Sequence, residues 1–316
     1  MEYIVLILLI LISIFISLVI FSFYVAFYVN RKKTIEAKDL PQGYGYKENQ
    51  EFLEQLTKLA SSYNYEEITI TSFDGIKLSA KYYHLSDKAP IQILCHGYRG
   101  YSLRDMSGGS KLAREFNHNI LLIDHRAHGK SGGNTITFGI NERKDILSWI
   151  NYCNKRFGSE KDIILSGVSM GASSVIMALD LDLPKNVVGV IADCPFSSPK
   201  EIIIKFTNDL KLPGKLLYPF IYLGCKIIGK TNLHETSAVK AIKNSKIPVL
   251  IIHGNKDDLV PYEMSQAIKK ANPDMCELHI FENAGHGLSY LVDDKKYKNI
   301  LIEFNSKIKN PRNWIF

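Results

Sequence analysis

A chain of 316 residues is long enough for one large domain with appendages and a self-supporting core. Its net charge of +7 comes from scattered Lys and a short basic cluster, with no basic stripe interleaved with aromatics, which argues against a nucleic-acid-binding face. The cysteine count is five, an odd number. Cys95 and Cys194 fall in or beside apolar runs, so the cysteines read as small buried side chains rather than a disulfide framework.

From Tyr3 to Val29 the chain runs 27 residues without a charge, dominated by Leu, Ile, Val and Phe. About 20 such residues cross a bilayer core as a helix. A cleavable signal peptide would want a basic start, a shorter apolar core and a small-residue cleavage site; the start here is Met1-Glu2 and no Ala-x-Ala follows. Residues 1–30 are therefore expected to be a transmembrane anchor, with Tyr24, Phe27 and Tyr28 in its aromatic belt. Arg31-Lys32-Lys33 directly follows, and the excess of positive charge on that side places the rest of the chain in the cytoplasm. The same cluster can sit on anionic headgroups.

Residues 31–65 read as a juxtamembrane linker. Leu40 to Gly45 is irregular, and Glu48 to Tyr63 is an amphipathic helix with Phe52, Leu53, Leu56, Leu59 and Ala60 on one face. That face would pack on the following domain; lying along the membrane is the sharper alternative. Residues 67–71 alternate, Asp74-Gly75 supplies a turn, and 77–83 returns, which predicts a hairpin. Strands are then expected near 91–95, 119–124, 163–167, 187–193, 248–253 and 277–281. Helices are expected near 105–116, 141–157, 170–181, 261–271 and 295–309. Alternating strands and helices with continuously apolar strands predict an α/β fold, its central sheet mostly parallel and covered on both faces.

Gly167-Val168-Ser169-Met170-Gly171 sits between a predicted strand and a predicted helix. A serine on such a tight turn is exposed, with the N-terminus of the helix aimed at the reaction centre. A serine hydroxyl is a weak nucleophile and needs a base, and the base needs an orienting group. Asp257 lies in the loop after the apolar run Pro248 to Ile252, at the carboxyl edge of the sheet. His286 lies between two glycines after the run Glu277 to Phe281. Ser169 as nucleophile, His286 as general base and Asp257 as its orienting acid form one triad. The N–H of Met170 offers one oxyanion donor, and the N–H of Tyr98, after His96-Gly97, offers the second.

These motifs, with Cys95-His96-Gly97-Tyr98, Asp124-His125-Arg126-Ala127-His128-Gly129-Lys130-Ser131 and His253-Gly254 through Val260-Pro261, resemble the α/β-hydrolase superfamily. The likeness is nearest the serine-aminopeptidase and acylglycerol-lipase-like branch of bacterial serine hydrolases. It covers residues 66–316 and implies a hydrolase domain of that extent. Members often carry Gly where this chain has Ala127. In this fold the long interval of about 200–246 usually forms a lid, which implies an apolar acyl pocket.

Asp258 and Asp193 compete with Asp257 for the acid; the spacing His-Gly-x-x-Asp-x-x-Val-Pro favours Asp257. Asp124-His125-x-x-His128 superficially resembles a metal cluster but fits a structural hydrolase loop, so neither a metal nor a cofactor is expected. The leading expectation is a membrane-anchored serine hydrolase of lipophilic carboxylic esters working through an acyl-enzyme, with a small-molecule or lipid ester as its partner. A peptidase or thioesterase with the same triad is the alternative. A peptidase would want carboxylates to hold a peptide N-terminus, and Glu201, Asp209 and Glu235 are scattered. A non-enzymatic membrane-tethered scaffold is a third reading, disfavoured because all three triad members are present.

Overall fold

The computed structural model describes residues 1–30 and 43–309. The basic triplet at 31–33 and the linker up to 42, including the start of the irregular stretch at 40–42, lie outside the described residues.

Eight strands form one sheet. They are β1 (Glu66–Thr71), β2 (Lys77–Tyr83), β3 (Ile91–Cys95), β4 (Asn119–Asp124), β5 (Ile163–Val168), β6 (Val187–Asp193), β7 (Val249–Gly254) and β8 (Cys276–Phe281). Their spatial order is β1-β2-β4-β3-β5-β6-β7-β8. The β1–β2 and β2–β4 pairs are antiparallel, and every pair from β4 to β8 is parallel. The division follows side-chain chemistry. Every residue of β3, β4 and β7 is buried, as strands covered on both faces require, whereas β1 at the edge is mostly exposed.

The helices are α1 (Glu2–Ala26), α2 (Gln50–Ser61), α3 (Ser102–Asp105), α4 (Ser107–Glu115), α5 (Glu142–Phe157) and α6 (Met170–Met177), followed by α7 (Pro199–Asp209), α8 (Gly214–Ile227), α9 (Ala238–Ile242), α10 (Glu263–Ala271), α11 (Ser289–Val292) and α12 (Asp294–Lys309). Helix α2 buries Leu56, Thr57 and Ala60 against α3 and α4, so its apolar face meets the body of the domain. Ala127 takes φ +65°, a conformation that glycine accepts more readily than alanine.

Helix α1 is long and apolar enough to cross a membrane, and it is almost wholly exposed up to Leu18. Its later turns dock. The half-exposed Phe15 meets Phe220 of α8 at 5.4 Å between ring centroids, and beyond it Val19 and Phe23 are buried. The two helices run parallel and close: a Cβ on Gly224 would lie 2.8 Å from the Val19 carbonyl. Small residues permit such approach. After α1 the chain stays with the body. Phe27 is fully buried, Ile136 N–H donates to Phe27 O (2.9 Å), Val29 N–H donates to Asn134 O (2.8 Å), and Tyr28 bridges Thr135. The interval predicted as a lid is three helices, α7 to α9. Helix α7 overhangs the carboxyl edge of the sheet. The apolar surface of α8 goes to α1 rather than into the cavity described below, and α9 returns to pack on α6 and α10.

Candidate active site

Ser169 occupies the turn from β5 into α6 with φ +55°, ψ −117°, a strained conformation for a residue with a Cβ. The turn closes only because its neighbours lack side chains. A Cβ on Gly167 would lie 2.4 Å from the Gly171 carbonyl carbon, and one on Gly171 would lie 2.1 Å from Cys95 O. The Ser169 N–H is spent on Asp193 O (2.9 Å), which pins the turn to β6.

Asp257 follows β7. Its side chain is fully buried, and Oδ1 accepts from the N–H groups of Leu259 (3.0 Å) and Val260 (2.7 Å). Oδ2 accepts from His286 Nδ1 at 2.7 Å and from His253 Nε2 at 3.0 Å. Burial alone would raise the Asp257 carboxyl; the His286 charge and the His253 hydrogen bond outweigh it and hold the group well below the usual carboxylate range. Burial likewise disfavours charge on His286, but the Asp257 carboxylate prevails and raises the imidazole above its ordinary 6.5. With Nδ1–H donated to Asp257, the His286 Nε2 lone pair is left for a proton.

Asp258 and Asp193 do not share this contact. Asp258 is exposed, its side chain beside Gly43. Asp193 accepts from the Tyr297 hydroxyl (3.0 Å), and burial pushes its carboxyl up to about 6.

A cavity of about 290 Å³ opens at this edge of the sheet. Ser169, His286, Gly97 and Tyr98 line it, with Leu53, Val168, Phe206, Leu259 and Leu288 as apolar walls. Phe206 from α7 faces Tyr98 at 6.3 Å between ring centroids. Among the described residues no hydrogen bond joins Ser169 Oγ to His286; such contacts often tighten only with substrate bound. The Met170 and Tyr98 N–H groups are likewise not engaged by another group among the described residues. Gly97 brings the loop beside Ser169, since a Cβ there would lie 3.5 Å from Ser169 Cβ.

Five neighbouring residues were not singled out for the site from the sequence. His253 is fully buried; its Nε2 faces both Asp257 and Val260 O (2.9 Å), which places the hydrogen there, and its Nδ1 then accepts from Ser265 Oγ (2.7 Å). Tyr46 Oη donates to His286 O (2.9 Å). The Arg104–Asp105 ion pair lines the cavity, and Asp105 Oδ2 accepts the Gly97 N–H (3.3 Å). Cys194 Sγ lies 3.9 Å from His286 Nε2. Cys194, Asp257 and His286 are close enough together to consider a metal ion. Burial pushes the Cys194 thiol well above its usual range, and Asp257 is committed to His286, so the group fits an acid–base pair beside a neutral thiol better than a ligand set.

The Asp124–Ser131 loop is a scaffold. Arg126 is buried between Asp145 (2.6 Å) and Asp74 (2.9 Å), and His125 N–H donates to His96 Nε2 (3.0 Å).

Sheet, elbow and cavity together define an α/β-hydrolase. The family model described as the prolyl oligopeptidase family matches residues 135–310, and the chain belongs to that family. It is 28% identical over 227 residues to the Bacillus subtilis protein YqkD, covering 71% of this chain and 74% of that one. It is 27% identical over 206 residues to the human mitochondrial palmitoyl-protein thioesterase ABHD10, covering 59% of this chain and 63% of that one. Among solved structures, the Pyrococcus furiosus esterase Pf2001 superposes with a TM-score of 0.61 at 26% identity, over 79% of this chain and 94% of the esterase. The protein is a hydrolase of the α/β fold.

Proposed function

We propose that this hydrolase cleaves lipophilic carboxylic esters through Ser169, His286 and Asp257. The observation that carries the reading is the 2.7 Å pair of Asp257 and His286 opening on the same cavity as Ser169. Ser169 Oγ attacks the acyl carbon as His286 Nε2 takes its proton. The carbonyl oxygen becomes an oxyanion facing the Met170 and Tyr98 N–H groups. His286 then protonates the departing alkoxide, leaving an acyl-serine. Water attacks that ester by the same route, its proton passing through His286 to Ser169. Asp257 holds the imidazole in the required tautomer and stabilises its charged form.

The apolar walls favour a lipophilic acyl group. The volume, at the small end of ligand pockets, favours short to medium chains. The family match and the thioesterase relative keep amides and thioesters in view. Against a peptidase, Glu201 bonds Ser197, Asp209 pairs with Lys205 and Glu235 pairs with Arg143 and Lys144; none of the three lines the cavity.

The full chain in detergent, assayed on p-nitrophenyl esters from acetyl to palmitoyl beside an aminoacyl-p-nitroanilide and an acyl-CoA, tests this. Ester hydrolysis should peak at short to medium chains and fall by roughly 10⁵–10⁶ in Ser169→Ala. Turnover confined to the anilide or the thioester would replace the ester reading, and turnover surviving in Ser169→Ala would end the serine mechanism.

We propose further that α1 anchors the enzyme as residues 1–30, followed by the linker 31–65 and the hydrolase 66–316 on the cytoplasmic side. The Arg31-Lys32-Lys33 cluster supports this orientation, and the burial of Phe27 supports retention of the helix. A cysteine introduced at exposed Ser62 should react with an impermeant maleimide only after lysis; labelling of intact cells would reverse the orientation.

A further inference from the structure

The end of α1 and the loop that follows β3 are tied to each other. A helix leaves its last carbonyls without partners inside the helix. Here two side chains of the loop take them. Tyr98 Oη donates to Ala26 O at 2.8 Å, and Arg99 Nη2 donates to Val25 O at 2.8 Å and to Tyr28 O at 3.2 Å. A guanidinium at this end also meets the negative pole of the helix dipole. The rings continue the contact. Tyr98 stacks on Phe138 at 4.8 Å, and Phe138 meets Phe27 edge-on at 5.8 Å.

The loop needs such support. Arg99 takes φ +48°, a backbone conformation that persists only where surrounding contacts impose it. From the sheet side the loop is held by Asp105 at the Gly97 N–H. From the outer side the side chains of Tyr98 and Arg99 hold it, and both reach to α1 and the residues just after it. The Tyr98 N–H lies between these two supports.

We infer that α1 is a working part of the active site: its last turn, gripped by the Tyr98 hydroxyl and by Arg99, sets the position of the Tyr98 N–H that meets the oxyanion. Arg99 is then a positioning residue, acting through the backbone of its neighbour, and the seating of an apolar helix governs catalysis in a domain it would otherwise only tether. The inference rests on the serine-hydrolase reading above. Its physical basis is the steepness of oxyanion stabilisation: a donor must be held within about 0.5 Å and 10–20° of its productive geometry, and losing one outright lowers kcat by about 10²–10³. A donor displaced rather than lost should forfeit part of that.

The test uses the full chain in lipid nanodiscs, with Arg99→Ala, Arg99→Lys and Tyr98→Phe beside wild type and Ser169→Ala. Arg99 is exposed at its guanidinium and Tyr98→Phe keeps the stacked ring, so neither removes core packing. Kinetic constants are read on p-nitrophenyl butyrate. Affinity is read for an alkyl trifluoromethyl ketone, whose adduct with a serine carries an oxyanion. Arg99→Ala and Tyr98→Phe should each lower kcat roughly tenfold with KM nearly unchanged and weaken the ketone by a similar factor; Arg99→Lys should recover part of both. Unchanged kcat and ketone affinity in Arg99→Ala and Tyr98→Phe, with Ser169→Ala inactive, would overturn the inference and leave the serine reading intact. A loss confined to KM would overturn it as well. Hydrolysis surviving in Ser169→Ala would remove the parent reading and this one with it.

Discussion

In the proposed mechanism the chemistry turns on His286, and two opposed forces set its proton affinity. Burial disfavours the imidazolium, the Asp257 carboxylate favours it, and the carboxylate wins, so the imidazole titrates above 6.5. Protonated His286 cannot accept the Ser169 proton. Activity should therefore be present at high pH and fall as pH drops through the raised value, putting the acid limb of kcat/KM above 6.5. In Asp257→Asn the offsetting charge is gone; the limb should move down and kcat should fall by roughly 10⁴ through loss of the tautomer. A pH profile of both proteins measures this, and an acid limb below 6.5 in wild type would show that burial dominates. Ser169, Asp257 and His286 were legible at this scale because each follows a strand at a motif spacing; the structure pairs Asp257 with His286 and sets both His286 and Ser169 on one cavity. His253 was not legible: it stood inside the motif as one more residue of β7, four residues before Asp257, and only the folded loop turns its ring onto that carboxylate. Tyr46 was hidden for a different reason, being separated by 240 residues from the carbonyl it bonds.

At the scale of elements, periodicity served well wherever burial is local. The continuous apolar runs became β3, β4 and β7, and the alternating run at 67–71 became the exposed-edge strand β1. It did not identify the partner of α8. Leu216 to Cys225 is apolar enough to roof an acyl pocket, yet α8 packs on α1 as well as on its neighbour α7, and Val19, which meets Gly224, lies about 205 residues earlier in the chain. An apolar face states that it will be covered, not by what. Gly224 is the point of closest approach, and Gly224→Leu should separate the two helices. Overpacking of this kind costs about 1–3 kcal/mol, and each kcal/mol lowers Tm by roughly 2–4 °C in a domain of this size. Thermal unfolding of the full chain in nanodiscs would read that loss, and an unchanged Tm would mean the helices are not packed there.

At the scale of the whole molecule, the sheet carries Ser169, Asp257 and His286 at its carboxyl edge after β5, β7 and β8, while the loop after β3 reaches back to the end of α1. Fold class, triad order and the apolar helix were all legible because each is written in contiguous residues. The joint between that helix and the loop was not, because Ala26 and Tyr98 are brought together only when β3 and the 134–136 segment are in place. That joint has a consequence for the order of synthesis. At roughly 5–20 residues per second, α1 leaves the ribosome some 10–40 s before the helix it packs against. For that interval α8 cannot cover Val19 and Phe23, and on the anchored reading proposed above lipid covers them first. On that reading the helix suits lipid before protein and has no use for a polar face, and the apolar side chains of α1 continue all round it, through the turns that dock.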